Sequence, residues 1–199
     1  MAVGALLVLQ TGTAYAVPLA GVGGFTIHAK EIRGYGAYIY GGVDDTSNSD
    51  AVPMAVTELQ HSEIDGLRLV KTQSLDAFPG ISGTMRITIS ASDTVTTGQQ
   101  ILKYTYLKAD TATLRRQVID ETNTDNPRKQ FAISARGENT SGVTVDINQH
   151  GNQPGLVLKD ATINAHYLAT NHITLPGQKI QIAWDTDGDG NYEHKFGKS

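Results

Sequence analysis

The amino-acid sequence predicts an all-β fold, a β-sandwich or jelly-roll-like domain preceded by an apolar N-terminal segment. Three observations carry this expectation. Short runs rich in Ile, Val, Thr and Tyr alternate apolar and polar residues with a period of two. Gly, Asn, Asp, Ser and Pro punctuate those runs at short intervals. No segment carries a full apolar stripe at helical spacing. A chain of 199 residues can bury a sizeable core without covalent staples, and the absence of Cys excludes a disulfide framework, a thiolate metal site and a thiol nucleophile.

From the N-terminus onward, no Asp, Glu, Lys or Arg appears before Lys30. Met1 to Leu9 is entirely apolar or small, and Ala14-Tyr15-Ala16 follows with the small-x-small pattern of a signal-peptidase site. An exported chain with a cleaved leader is one expectation; a retained apolar arm is the other. Nine helical residues cover about 14 Å, less than half of a hydrocarbon core of about 30 Å. Any membrane association is therefore expected only through this segment. The chain divides into residues 1–21, leader or assembly arm, and residues 22–199, a single β domain.

Within that domain, Phe25 to Ala29, Ala37 to Tyr40, Met85 to Ser90, Thr94 to Thr97, Val143 to Ile147 and Ile180 to Trp184 alternate as strands do. Leu102 to Val118 contains helix formers, but Thr105, Thr111 and Thr113 and the incomplete Leu107, Leu114, Val118 stripe favour strand. One short pattern recurs as Lys30-Glu-Ile32-Arg-Gly34, Ser62-Glu-Ile64-Asp-Gly66, Ala112-Thr-Leu114-Arg-Arg116 and Ala161-Thr-Ile163-Asn-Ala165. Its spacing is too irregular for a solenoid, so these pieces read as equivalent strands, each giving one branched side chain to a shared core.

Several of these segments resemble a known family. GVGGFTIHAKEIRG, VPMAVTELQHSEIDGLRLVKT and GLVLKDATINAHYLATNHITLPG are similar to exported actinobacterial and haloarchaeal proteins grouped as a domain of unknown function. The resemblance implies export and a mostly β domain, and brings no assigned activity, cofactor or catalytic residue.

The chemistry-bearing motifs are few. Sixteen Lys and Arg against 20 Asp and Glu leave a net charge of −4, without the basic field that phosphate backbones require, so no nucleic-acid partner is expected. No phosphate loop, zinc-protease helix or dinucleotide fingerprint occurs, and Gly80-Ile-Ser82-Gly83 falls one residue short of a nucleophile elbow. We expect no enzyme. His61, Glu63 and Asp65 share one strand face, which reads as a solvated polar face rather than a ligand set. Asn139-Thr140-Ser141 is a chance-length glycosylation sequon. Tyr35, Tyr38 and Tyr40, with Tyr104 and Tyr106, read as rings at a sheet edge or interface, less often as a sugar platform.

One constellation is more specific. Asp185, Asp187 and Asp189 recur at every second position, Gly190 stands sixth, Asn191 seventh and Glu193 ninth, the order in which a calcium loop presents oxygens around Ca2+. Phe196 occupies the twelfth position, where the bidentate Glu would stand, so a full helix–loop–helix hand is excluded. The competing expectation is an Asp-Gly hairpin turn with Gly188 or Gly190 at positive φ. Together these features predict an extracellular, cell-surface structural protein that assembles with copies of itself into a filament or surface layer. In that reading a retained arm, Val3 to Val8 or Val17 to Phe25, adds as a strand to the next copy. The alternative is an extracellular carrier holding an apolar ligand or lipid between its sheets, which requires a cavity lined by Leu and Ile.

Overall fold

A computed structural model describes residues 24–46, 50–137 and 152–196. The N-terminal segment, the expected Val143 to Ile147 strand, the Asn139 sequon and His150 lie outside the described residues. Among those described, the chain forms strands β1 (Phe25–Tyr35), β2 (Ala37–Asp44), β3 (Val52–Leu59), β4 (His61–Asp65), β5 (Arg68–Ser74), β6 (Thr84–Ser90), β7 (Val95–Thr97), β8 (Gln100–Lys108), β9 (Thr111–Leu114) and β10 (Gln117–Glu121). A single four-residue helix, α1 (Pro127–Gln130), precedes β11 (Phe131–Ala135), β12 (Leu156–Thr170), β13 (Ile173–Thr174), β14 (Lys179–Asp185) and β15 (His194–Phe196). The fold is therefore almost entirely β, as alternation and punctuation indicate. The segment from Leu102 to Val118 is strand, but broken twice: turns after Lys108 and Leu114 divide it among β8, β9 and β10, with Arg116 at φ 49°.

All strand pairs are antiparallel and hydrogen-bonded into one network, whose main path runs β10-β11-β2-β3-β8-β12-β1-β5-β6-β14-β15. The centre of that path is the long β1–β12 pair, in register from Phe25 opposite Ala165 to Gly34 opposite Leu156. Along β1 the buried positions are Phe25, Ile27 and Ala29, then Ile32 and Gly34; along β12 they are Leu156, Val157 and Leu158, of which Leu156 and Leu158 join the core cluster, then Ala161, Ile163 and Ala165. Both strands thus exchange their inward face at one level, where Lys30 and Asp160 are exposed and Asp160 takes φ 48°. A residue in the left-handed region reverses the alternation that an extended backbone imposes.

This switch lets each strand serve two neighbours on one edge. β1 pairs with β5 through Thr26 to His28 and with β4 through Glu31 to Tyr35. β12 pairs with β9 through Leu156 to Lys159 and with β8 from Thr162 onward. The side branch continues from β4 to β7 and on to β13. All these strands face one apolar cluster containing Phe25, Ile32, Ile64, Leu69, Val95, Leu102 and Ile163. The four recurring sequence pieces lie on the adjacent strands β9, β12, β1 and β4; Ile32, Ile64 and Ile163 belong to the cluster and Leu114 packs against it. Ser62, fully buried, meets Thr97 Oγ1 at 2.9 Å, and Thr57 meets the Tyr104 hydroxyl at 3.1 Å, so these buried hydroxyls keep partners.

Ile163 sits at the middle of this cluster and is 2% exposed, whereas Val43 near the end of β2 is 63% exposed. Chemical denaturation should show Ile163→Ala losing about 3 to 4 kcal/mol, transfer plus cavity cost, while Val43→Ala stays within about 0.5 kcal/mol.

Candidate functional site

β14 and β15 form a hairpin in which Trp184 lies opposite His194, and the loop joining them holds the carboxylate series. Backbone amides organise it. Asp185 is 2% exposed; its Oδ1 accepts from the Gly188 N–H at 2.7 Å and its Oδ2 from the Gly190 N–H at 2.9 Å. The Asp189 N–H donates to Asp187 Oδ1 at 3.2 Å, and the Asn191 N–H donates to Asp189 Oδ1 at 2.7 Å. Glu193 folds back, its Oε2 accepting from the Thr186 N–H at 2.9 Å and the Thr186 hydroxyl at 3.2 Å. Gly190 at φ 91° turns the chain so that its N–H can point at the first carboxylate of the series. First the Asn191 N–H and then its side-chain amide hold the Asp189 carboxyl below the usual carboxylate range.

The neighbouring β5–β6 connection locks onto the root of this loop. Trp184 Nε1 donates to Ser82 O at 3.0 Å, and Gly83 lies at φ 94° where any Cβ would fall 2.1 Å from the Asp185 carbonyl oxygen. Ser82 is thus a connector residue with a structural task. The Arg86 guanidinium stacks over the Tyr192 ring, 3.7 Å from its centroid.

Carboxylate oxygens of Asp185, Asp187, Asp189 and Glu193 lie within 4.8 Å of one another. Oxygens on opposite sides of one ion bound at 2.3 to 2.6 Å are about 5 Å apart, so the four fit around a single hard cation. Among the described residues no Lys or Arg forms a salt bridge to them. Among the described residues the repulsion is offset by N–H and hydroxyl donors, and the cluster could hold a cation. The structure joins these four carboxylates and uses Asn191 as a donor to Asp189. The loop also has the hairpin character expected of an Asp-Gly turn, with both Gly188 and Gly190 at positive φ.

Other polar groups singled out in the sequence find separate partners. Arg33 bridges Glu31 at 2.7 Å, Glu63 at 2.8 Å and Asp65 at 3.1 Å, while His61 stacks on Tyr35 at 3.9 Å. The His61, Glu63, Asp65 face is a salt-bridged strand face. His28, His166 and His172 meet the hydroxyls of Thr162, Thr105 and Thr174 respectively. Tyr38 and Tyr40, with ring centroids 5.7 Å apart, lie under the Arg128 guanidinium, which is itself held by Glu58. Beside them runs an open groove of about 840 Å³ whose walls include Gln60, Gln99, Gln100, Asn171 and Arg136. Its lining is mainly polar, unlike the Leu and Ile cavity that a lipid carrier requires.

Sequence reasoning missed another set of residues. Several exposed large apolar side chains lie at the two ends of the strand path, Ile119 and Phe131 on β10 and β11, and Ile180, Ile182 and Phe196 on β14 and β15; others are Val43 on β2, Phe78 and Ile81 in the β5–β6 connection, and Ile101 and Tyr106 on β8. Alternation places each of those at the ends on a strand face, but only the strand order reveals that the face lies at an end.

The model of a family of unknown function, DUF6230, matches residues 22–188. The chain belongs to that family. The DUF6230 match spans β1 through β14 and ends within the carboxylate loop, after Asp185 and Asp187. No curated protein and no solved structure matches the chain. No helix among the described residues is long and apolar enough to cross a membrane.

The two carboxylate environments predict unequal roles in chelator-treated protein. Asp185→Ala leaves two backbone amides without their charged acceptor and should cost about 2 to 3 kcal/mol by urea unfolding. Asp187→Ala, at an exposed position, should stay within about 0.5 kcal/mol.

Proposed function

We propose that this protein is an extracellular, cell-surface structural subunit that assembles with copies of itself through the ends of its sheet. The proposed role is non-enzymatic. The observation that carries it is the exposure of Ile119, Phe131, Ile180, Ile182 and Phe196 on β10, β11, β14 and β15, the strands at the two ends of the path. An unpaired strand edge with apolar side chains is a template for another chain. The two ends differ in sequence, so the contact is head-to-tail and propagates unless the rotation closes a ring. The paired face switch at Lys30 and Asp160 favours a sandwich-like closure, with the sheet folded over its own core and both ends outside it.

In this reading the Asp185 loop binds Ca2+, with monodentate oxygens from Asp185, Asp187 and Asp189, the Asn191 carbonyl and Glu193 completing the set. All-oxygen donors suit a hard cation, and weak millimolar affinity suits an extracellular module. The ion would stiffen the turn that carries β15, one end of the sheet. With a Kd of about 1 mM, raising free calcium to about 10 mM stabilises the fold by roughly 1.4 kcal/mol, about 3 to 6 °C in melting temperature. Asp187→Ala should abolish the shift; calorimetry showing none for the intact chain up to tens of millimolar would remove calcium from the account.

Self-assembly is tested by light scattering and electron microscopy of the full chain, and of the chain lacking residues 1–21, over a concentration series. Growth into head-to-tail oligomers is expected from both if the sheet ends suffice. A monodisperse monomer at millimolar concentration contradicts the proposal, and assembly lost only with residues 1–21 transfers the contact to the N-terminal arm.

A further inference from the structure

β10 pairs with β11 alone, and β15 with β14 alone, among the described residues. Each therefore presents one edge of main-chain donors and acceptors to solvent. On β10 the sequence Ile119-Asp120-Glu121 is exposed throughout, with Ile119 at 59%; on β15 His194-Lys195-Phe196 is exposed throughout, with Phe196 at 54%. One edge is apolar and acidic, the other basic and apolar. Run antiparallel, the two orders complement each other residue by residue.

We propose that the outer edge of β10 in one copy pairs antiparallel with the outer edge of β15 in the next, in the register Ile119 opposite Phe196, Asp120 opposite Lys195 and Glu121 opposite His194. This rests on the self-assembly reading and names its contact. Cross-strand pairs directly opposite one another are the unit of sheet stabilisation, and like charges in those positions destabilise. A shift of the register by one residue places Ile119 opposite Lys195 in one direction and Phe196 opposite Asp120 in the other; either way the Ile119–Phe196 pair is lost and the added strand's side chains change face.

The rows behind each edge support the same register. Within the chain Phe196 lies opposite Ile182, and Ile182 opposite Ile87. At the other end Ile119 lies opposite Ile133, and Ile133 opposite Ile39. Joining the edges makes one unbroken cross-strand row, Ile87, Ile182, Phe196, Ile119, Ile133 and Ile39, on a single face of a sheet that continues from copy to copy. That row removes the most exposed apolar side chains of both ends from water. The charged row beside it, with Asp120 and Lys195 at its centre, lies on the opposite face.

The chain contains no Cys, so engineered thiols report the contact without interference. Residues directly opposite in an antiparallel pair have Cα atoms about 4.5 to 5.5 Å apart, within disulfide reach. In the full chain, Ile119→Cys combined with Phe196→Cys should give a ladder of covalent oligomers on oxidation. The two single variants mixed should give dimers only. Phe131→Cys with Phe196→Cys, one strand further away, should cross-link at least roughly tenfold less. Independently, Asp120→Lys should raise the concentration needed for assembly roughly tenfold, and Asp120→Lys with Lys195→Asp should restore it. Polymers by light scattering without the ladder or the charge rescue would overturn this pairing and leave self-assembly standing. A chain that stays monomeric would overturn both.

Discussion

The rest of the structure depends on the β1–β12 pair and on the single level at which its two strands turn their faces together. An extended strand must alternate its side chains, and a strand that lies in one flat sheet offers one set of positions to one core. Here Lys30 and Asp160 interrupt that alternation in both partners, while the pairing continues in the same register on either side. The interruption divides each strand into two segments with different outer neighbours, β5 and β4 for β1, β8 and β9 for β12. Every other strand is attached, directly or through one of these four, to that pair.

From this follows where the chain is strong and where it is open. Burial is deepest on β1, β12 and the strands beside them, and it thins along both arms of the path until β10 and β15 are exposed along almost their whole length. The apolar side chains on those last strands continue faces that are buried nearer the centre. Ile89 packs against the core and lies opposite Ile180, which is 46% exposed. The hairpin that ends one arm is tied back by Asp185, whose buried carboxylate collects two glycine amides, and by Trp184 on the β5–β6 connection. A short, weakly buried strand such as β15 needs such a root if its edge is to keep a fixed geometry.

Much of this was legible in the residues themselves. β1, β6, β8 and β14 declare their period, and the recurring pieces centred on Ile32, Ile64, Leu114 and Ile163 mark four strands that do lie side by side. β12 is legible only in part, because the Leu156-Val157-Leu158 run and the Lys159-Asp160 pair straddle a change of face that no strict alternation can express. The Asp185 loop was legible because its carboxylates are local: spacing of two, with Gly sixth, is a geometric statement about one short segment. The burial of Asp185, the clasp from Gly83 and the Arg33 cluster with Glu63 and Asp65 were not, since their partners lie far away in sequence. The sheet ends were the least legible, for an edge is a property of strand order, and nothing in Ile119 or Phe196 alone distinguishes an end from a middle.

Native-state hydrogen exchange followed by NMR on the intact chain tests most directly whether the β1–β12 pair is the centre on which the fold depends. Amides of Ile27, Ile32, Ile163 and Ala165 should be the last to exchange and should open together, at the free energy of global unfolding, while those of β10 and β15 exchange by lower-energy local opening. Protection in β14 and β15 equal to or greater than that of β1 and β12 would contradict the account, as would halves of β12 on either side of Asp160 that open in separate steps.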